Sequence, residues 1–121
     1  MKKTLIGLLT GLSFSFTLIS GPITGRWKVY DPRGPQFQIN FRTDNSFTAY
    51  SNEGKVLITG NYRTDKDTFL VNDLNCNAAY WGKYQLNIIT EDSVAFKLIS
   101  DTCSGRSEAV NGIVIARLKQ K

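Results

Sequence analysis

The feature that most constrains the fold is a two-residue alternation of apolar and polar side chains, broken by turn residues every eight to twelve positions. In residues 36–42, for example, Phe37, Ile39 and Phe41 alternate with polar neighbours. An alternation of this period places the two sets of side chains on opposite faces of a β-strand. No ten-residue stretch after Ile19 has a helical period. The sequence therefore predicts an all-β fold.

The alternation predicts eight strands joined in chain order as an antiparallel up-and-down meander. They cover residues 25–30, 36–42, 46–51, 55–63, 68–73, 80–89, 94–100 and 109–119. Closing the meander removes exposed strand edges, so we predict an eight-stranded barrel, with a two-sheet sandwich as the alternative. The bulky residues predicted to point inward are Phe37, Ile39, Phe41, Phe47, Val56, Ile58, Phe69, Val71, Leu86, Ile88, Phe96 and Leu98. Side chains of this size can fill a small barrel, so we expect a packed core, with a pocket as the alternative.

The connections between the strands differ in length. Three are short and polar ("TDNS", "TDKDT" and "TEDS"), whereas the other four ("DPRGPQ", "NEG", "LNCNAA" and "DTCSGRSE") are mostly longer. Since connections alternate between the two ends of a meander, the short turns collect at one end and the longer loops at the other. Loops held by a rigid scaffold commonly carry function. Around a pocket, the predicted ligand or partner rim consists of Tyr30, Arg33, Tyr80, Trp81 and Arg106.

The two cysteines fall in loops at the same end of the predicted meander. Cys76 lies in the connection between the fifth and the sixth strand, and Cys103 lies in the connection between the seventh and the eighth strand. In an exported protein, two cysteines placed in this way are expected to form a disulfide. The alternative, a reactive Cys103 thiolate beside Arg106, lacks a histidine base.

The first twenty residues resemble a secretory signal peptide. Lys2 and Lys3 precede an uncharged apolar run, and small residues follow at Ser20 and Gly21. We predict a signal peptide over residues 1–20, cleaved between residues 20 and 24, and a single domain over residues 21–121. The protein is then exported from a bacterial cytoplasm and is periplasmic or secreted. The alternative, an uncleaved membrane anchor, has a run shorter than the roughly 20 residues that a spanning helix needs.

Composition excludes several classes of function. The chain contains no histidine, which removes histidine triads, histidine metal sites and the usual general base at neutral pH. Without Lys2 and Lys3, the 15 basic residues become 13 against 10 acidic residues, a net charge of +3. These charges are scattered, whereas a nucleic-acid surface needs them clustered. We expect no enzyme activity, no cofactor, no metal, no nucleic-acid partner and a monomer without stable membrane insertion after cleavage.

A second motif, "GRW" on the first strand, places Gly25 and Trp27 beside the last strand of a closed barrel. Arg117 on that strand would then cover the Trp27 ring in a cation–π contact that closes the barrel. The alternative is that Trp27 is a core residue and Arg117 is solvated.

With Gly-x-Trp on the first strand, the long loop "YDPRGPQ" and an arginine on the last strand, the chain resembles the lipocalin-like (calycin) barrels. The segment from "GNYRTDK" to "DTCSGR" is similar to small bacterial lipocalin-like proteins of unassigned function. The resemblance implies a binding module for a small apolar ligand at the barrel mouth. Because this chain is much shorter than full lipocalins, a protein-interaction module, such as a secreted-enzyme inhibitor with a fully packed barrel, is the alternative.

Overall fold

A computed structural model describes residues 23–31, 33–34, 36–76 and 79–118. In chain order these residues form β1 Gly25–Tyr30, β2 Phe37–Phe41, β3 Ser46–Tyr50, β4 Val56–Asp65, β5 Thr68–Asp73, β6 Gly82–Thr90, β7 Ser93–Ser100, helix α1 Ser104–Val110 and β8 Val114–Arg117. Each strand pairs antiparallel with the next, and β8 pairs with β1, so the sheet closes into a barrel. The predicted eight-stranded up-and-down barrel is confirmed.

The prediction for the last strand is wrong in its first half. Residues 104–110 form helix α1, and β8 extends only over residues 114–117. A helix of seven residues spans about two turns, which is too short to produce a recognisable period in the sequence. The chain leaves the helix through Asn111 and Gly112, and Gly112 has a φ of 90°, a conformation that glycine adopts without strain.

The two ends of the barrel differ as predicted from the connections. The hairpin turns β2–β3, β4–β5 and β6–β7 lie at one end, which we call the closed end. Asn45 and Lys66 take the positive φ values that two of these turns require. Gly25, Trp27 and Arg117 also come together at the closed end, where Trp27 pairs with Arg117 between β1 and β8. The four other connections lie at the opposite, open end.

Three residues predicted to point inward are exposed instead. Val56, Ile88 and Leu98 have exposed fractions of 54%, 45% and 36%. Each lies beside a shift in strand register, in the pairs β3–β4 and β6–β7. At Val56 the bulge inserts one residue into β4 and so reverses the alternation. Ile88 keeps the alternation with Leu86, but it lies beyond Gln85, the last β6 residue that pairs with β5. Leu98 also lies beyond Ala95, the last β7 residue that pairs with β8.

The predicted signal peptide, residues 1–20, lies outside the described residues. Among the residues that the structure describes, no helix is long and apolar enough to cross a membrane.

Candidate functional site

The barrel encloses an apolar cavity of about 500 Å³. Its walls are inward-facing side chains from the strands around the barrel and from the segment between α1 and β8: Val29, Phe37, Ile39, Ala49, Ile58, Val71, Ile113 and Ile115. We expected the inward set to pack into a filled core. The structure instead leaves space among these side chains towards the open end, because the large aromatic rings are gathered lower in the barrel.

Four phenylalanines form the floor of the cavity: Phe41, Phe47, Phe69 and Phe96. Phe41 packs edge-on against Phe69, with ring centroids 5.7 Å apart, and Phe69 packs edge-on against Phe96 at 5.0 Å. Edge-to-face packing is favoured by the aromatic quadrupole, so these rings hold one another in place. The floor is therefore a fixed apolar surface.

Helix α1 and the disulfide lie at the mouth of the cavity. Gly105, Ala109 and Val110 of the helix line the cavity together with Cys76 and Cys103. The predicted Cys76–Cys103 bridge is confirmed, with a Cα–Cα distance of 6.1 Å. Because Cys103 directly precedes α1, the bridge attaches the start of the helix to the loop that follows β5. The helix is thus fixed over the cavity at its N-terminal end.

A second, polar tie joins the same two loops. The guanidinium of Arg106 on α1 donates two hydrogen bonds to the Asp101 carboxylate, from Nε and Nη2, each 2.8 Å long. Its Nη1 lies 3.4 Å from Oδ2 of Asp73, at the end of β5. All three side chains are at least nine-tenths buried. Arg106 therefore links α1 to β5 through charged groups in parallel with the covalent bridge.

The carboxylate of Asp101 is held in its charged form. Burial raises its pKa, but hydrogen bonds from Arg106, from the Tyr84 hydroxyl at 2.5 Å and from the backbone N–H of Cys103 together lower the pKa below its usual value. The pKa of Tyr84 is strongly raised, first by burial and then by its hydrogen bond to Asp101. Tyr84 consequently remains a neutral donor, and Asp101 accepts four hydrogen bonds.

Gly82 at the start of β6 makes room for this cluster. A Cβ atom at this position would collide with Oδ2 of Asp101 and would lie 3.2 Å from Nε of Arg106. The backbone of β6 therefore approaches the ion pair more closely than any side chain would allow. The glycine of the "GKY" sequence is thus explained by the lack of space for a side chain at this position.

Of the five predicted rim residues, the structure brings only Arg106 to the cavity. Tyr30 and Tyr80 are exposed, by 40% and 56%. Arg33 pairs with Asp31 and donates to the backbone carbonyl of Asn111, so it ties the first loop to the end of α1. Trp81 is half-buried beneath the guanidinium of Arg63, whose Cζ lies 4.6 Å from the ring centroid. Of these two neighbouring aromatic side chains, Tyr80 is therefore exposed and Trp81 is half-buried.

Sequence reasoning missed Asp73, Asp101 and Tyr84 as parts of the site. A signal was present: each cysteine follows an aspartate, at a spacing of three residues for Cys76 and two for Cys103. Both aspartates accept a hydrogen bond from a backbone N–H two residues later. Aspartates in this position start loops. An aspartate shortly before each of the two cysteines, with an arginine following the second cysteine, could have suggested the polar tie.

The site offers apolar contact and a polar cluster at one end. Among the described residues, no group of three or more aspartate, glutamate, cysteine or histidine side chains is placed to hold a metal ion. The arrangement is suited to enclosing a small molecule whose body is apolar.

No protein-family model, curated protein or solved structure gives a significant match to this chain.

Proposed function

We propose that this protein is an exported, lipocalin-like binding module that holds a small apolar ligand inside the barrel. The observation that carries the proposal is the apolar cavity of about 500 Å³ beneath helix α1. Ligand sites commonly have volumes of roughly 300–1,000 Å³ and are lined by hydrophobic and aromatic side chains with a few polar groups. The phenylalanine floor and the single polar cluster fit this description.

Export belongs to the same proposal. Disulfides persist in oxidising compartments, so the Cys76–Cys103 bridge favours a location outside the cytoplasm. Sequencing the N-terminus of the protein recovered from its host tests this part. We expect a mature chain that begins between residues 20 and 24, whereas a chain that begins at Met1 contradicts export through a cleaved signal.

The direct test of ligand binding is native mass spectrometry of the protein purified from its own host. We expect a retained small molecule, or a thermal shift with at least one compound in a panel of lipids, haem and retinoid-like molecules. A clean apo mass together with no thermal shift across the panel would contradict the proposal.

A pair of matched variants locates the binding site. Ala49 lines the cavity, whereas Ala95 lies on β7 between two inward-facing residues and does not line it. Ala49→Leu adds apolar volume inside the cavity and should weaken binding of the retained ligand. Ala95→Leu adds the same volume outside and should leave binding unchanged. Equal effects of the two substitutions would place the ligand elsewhere.

A protein-interaction module remains the second candidate because apolar residues are exposed at the open end. Leu74 has an exposed fraction of 82% and Tyr80 one of 56%. An exposed tyrosine and an exposed leucine in the same connection, between β5 and β6, are suited to a protein interface. Retention of a partner protein that is lost in Leu74→Ser, together with an apo mass, would favour this candidate over the ligand carrier.

A further inference from the structure

The polar end of the cavity carries more negative than positive charge. Two carboxylates, those of Asp73 and Asp101, face the single guanidinium of Arg106. The Tyr84 hydroxyl is neutral, because burial and its hydrogen bond to Asp101 raise its pKa. Among the described residues of this cluster, one formal negative charge is therefore left without a matching cation.

The excess charge faces the cavity through Asp73. Asp101 does not line the cavity, and its oxygens are occupied by Arg106, Tyr84 and the N–H of Cys103. Asp73 does line it, and its side chain is 3% exposed. Among the described residues, its Oδ1 accepts one hydrogen bond from Asn75, and its Oδ2 has one long contact of 3.4 Å with Arg106. A carboxylate has about four lone-pair sites, so Asp73 retains acceptor capacity.

Arg106 has little capacity left for an anion. Its Nε and Nη2 donate to Asp101, Nη2 also lies 3.4 Å from the carbonyl oxygen of Tyr80, and Nη1 contacts Asp73. These contacts use four of the five N–H donors that a guanidinium possesses. An incoming carboxylate would find one remaining N–H donor, next to the Asp73 carboxylate, and would add a second unmatched negative charge. A fatty acid is therefore a poor fit for this end of the cavity.

We infer that the ligand has a hydrogen-bond-donating, cationic end, such as a primary ammonium, which binds the Asp73 carboxylate while the apolar body rests on the phenylalanine floor. This inference rests on the proposed function and adds the chemical class of the ligand. The ammonium would supply the missing positive charge, and its N–H groups would fill the free acceptor sites of Asp73. A charge-assisted hydrogen bond in a water-poor site is among the stronger polar contacts.

The test compares decylamine, decanol and decanoate by calorimetry, each below its micellar concentration. These probes share one apolar body and differ in the polar end. We expect decylamine to bind the wild-type protein roughly tenfold or more tightly than the other two, because a hydrogen bond between charged groups is stronger than one between neutral groups. The mature domain, with 13 basic and 10 acidic residues, has a net charge of +3, so non-specific attraction would favour decanoate instead.

Two variants assign the preference to Asp73. Asp73→Asn keeps the shape and removes the charge, and should abolish the preference for decylamine while decanol binding is retained. Asp65→Asn removes one negative charge at the closed end and should leave the preference unchanged. If Asp73→Asn does not fold, the affinities of the wild-type protein for the probes still decide the inference. Decyltrimethylammonium is then added as a cation that lacks N–H donors, and it should bind more weakly than decylamine.

The outcomes separate the two proposals. Equal binding of the three probes, or tightest binding of decanoate, overturns the inference about the cationic end and leaves the apolar carrier standing. A preference for decylamine that persists in Asp73→Asn also overturns the inference. Binding of none of the probes, together with an apo mass from the host, contradicts the proposed function itself.

Discussion

The guanidinium of Arg117 lies over the indole ring of Trp27, with Cζ 4.1 Å from the ring centroid. The arginine also donates from Nη1 to the carbonyl oxygen of Thr24 at 3.0 Å, and the indole Nε1 donates to that of Ile23 at 2.8 Å. These contacts hold the segment before β1 across the closed end. Gly25 permits the arrangement, since it has a φ of 116° and a Cβ there would lie 3.0 Å from Nη1 of Arg117.

Replacing Arg117 with alanine should destabilise the barrel by about 1–2 kcal/mol. The loss combines a cation–π contact with a hydrogen bond to a backbone carbonyl. The ion pair with Asp92, at 3.7 Å and half-exposed, should add little. Urea unfolding measures the free energy, and Arg26→Ala on the exposed face of β1 is the control, with an expected change within about 0.5 kcal/mol. Equal losses in the two variants would show that the cation–π contact and the hydrogen bond of Arg117 contribute nothing.

Removing Arg106 from the polar tie at the open end should reduce the free energy of unfolding more than removing Arg117 does. Arg106→Met leaves the Asp73 and Asp101 carboxylates buried without a cation, and loss of one partner from a buried ion pair typically costs about 3–5 kcal/mol. The control is Arg33→Met, which removes an arginine from a half-exposed pair with Asp31 at the same end. We expect unfolding at clearly lower urea concentration for Arg106→Met than for Arg33→Met. Similar midpoints would mean that the buried charges are solvated in the folded protein.

The lowered pKa of Asp101 predicts a loss of stability in acid. The pKa of this carboxyl is lower in the folded protein than in the unfolded chain, where an aspartate has a pKa of about 3.9. The folded state therefore binds the proton less readily, and the stabilisation is complete above the unfolded pKa. It is lost as the pH falls from about 4 through the folded pKa.

Urea unfolding between pH 2 and pH 7 tests whether stability falls with pH in this way. Asp101→Asn should be less stable at neutral pH and should have a flatter dependence on pH below about 4 than the wild-type protein. Asp44→Asn is the control: hydrogen bonds from Ser46 also lower the pKa of Asp44, but its carboxyl is at an exposed turn. We expect Asp44→Asn to retain nearly the whole wild-type dependence. If Asp101→Asn lost stability below pH 4 as steeply as the wild-type protein does, the argument would be contradicted.

The strands were predictable because one face of each is buried, which imposes the two-residue alternation. β1 and β5 begin and end at the predicted residues. The alternation fails at a bulge, as at Val56, because the inserted residue leaves no mark in the local sequence. Helix α1 was missed because seven residues fixed by a disulfide and by Arg106 need no helical period of their own.

The site was less predictable than the fold. Its cavity depends on how much volume the aromatic rings leave free, which is a property of the packed barrel and not of any residue in sequence. The partners of Arg106 come from β5 and from the end of β7, and their approach depends on the strand register. The cysteine pairing could be predicted from the sequence, because the number and order of the strands are enough to assign each loop to one end of the barrel.

Substitutions of two glycines should have opposite effects. Gly82→Ala places a methyl group against the Asp101 carboxylate and should destabilise by at least 1–3 kcal/mol, the usual cost of overpacking. Gly105 lies in α1, where an added Cβ meets nothing within 4 Å. Gly105→Ala should therefore stabilise by about 0.5–1 kcal/mol, because alanine is the better helix former. Thermal unfolding measures both, and a neutral Gly82→Ala would show that the polar cluster can shift.

The disulfide and Arg106 join the same two loops, so their contributions should be coupled. The bridge closes a loop with a sequence separation of 27 residues, and its removal in a Cys76→Ser, Cys103→Ser variant should cost about 3–4 kcal/mol of global stability. Either tie alone still attaches α1 to the end of β5. We therefore expect hydrogen exchange at the amides of residues 104–110 to accelerate modestly when one tie is removed.

When both ties are removed, α1 loses its covalent and its charged link to β5 together, and exchange in the helix should accelerate by more than the product of the two separate effects. The β2–β3 hairpin at the closed end is the internal control, since its amides report global unfolding alone. Comparing the helix with this hairpin in the same samples separates local release of α1 from loss of the whole barrel. Strictly multiplicative exchange rates in the helix would show that the two ties act independently and that Arg106 does not reinforce the bridge.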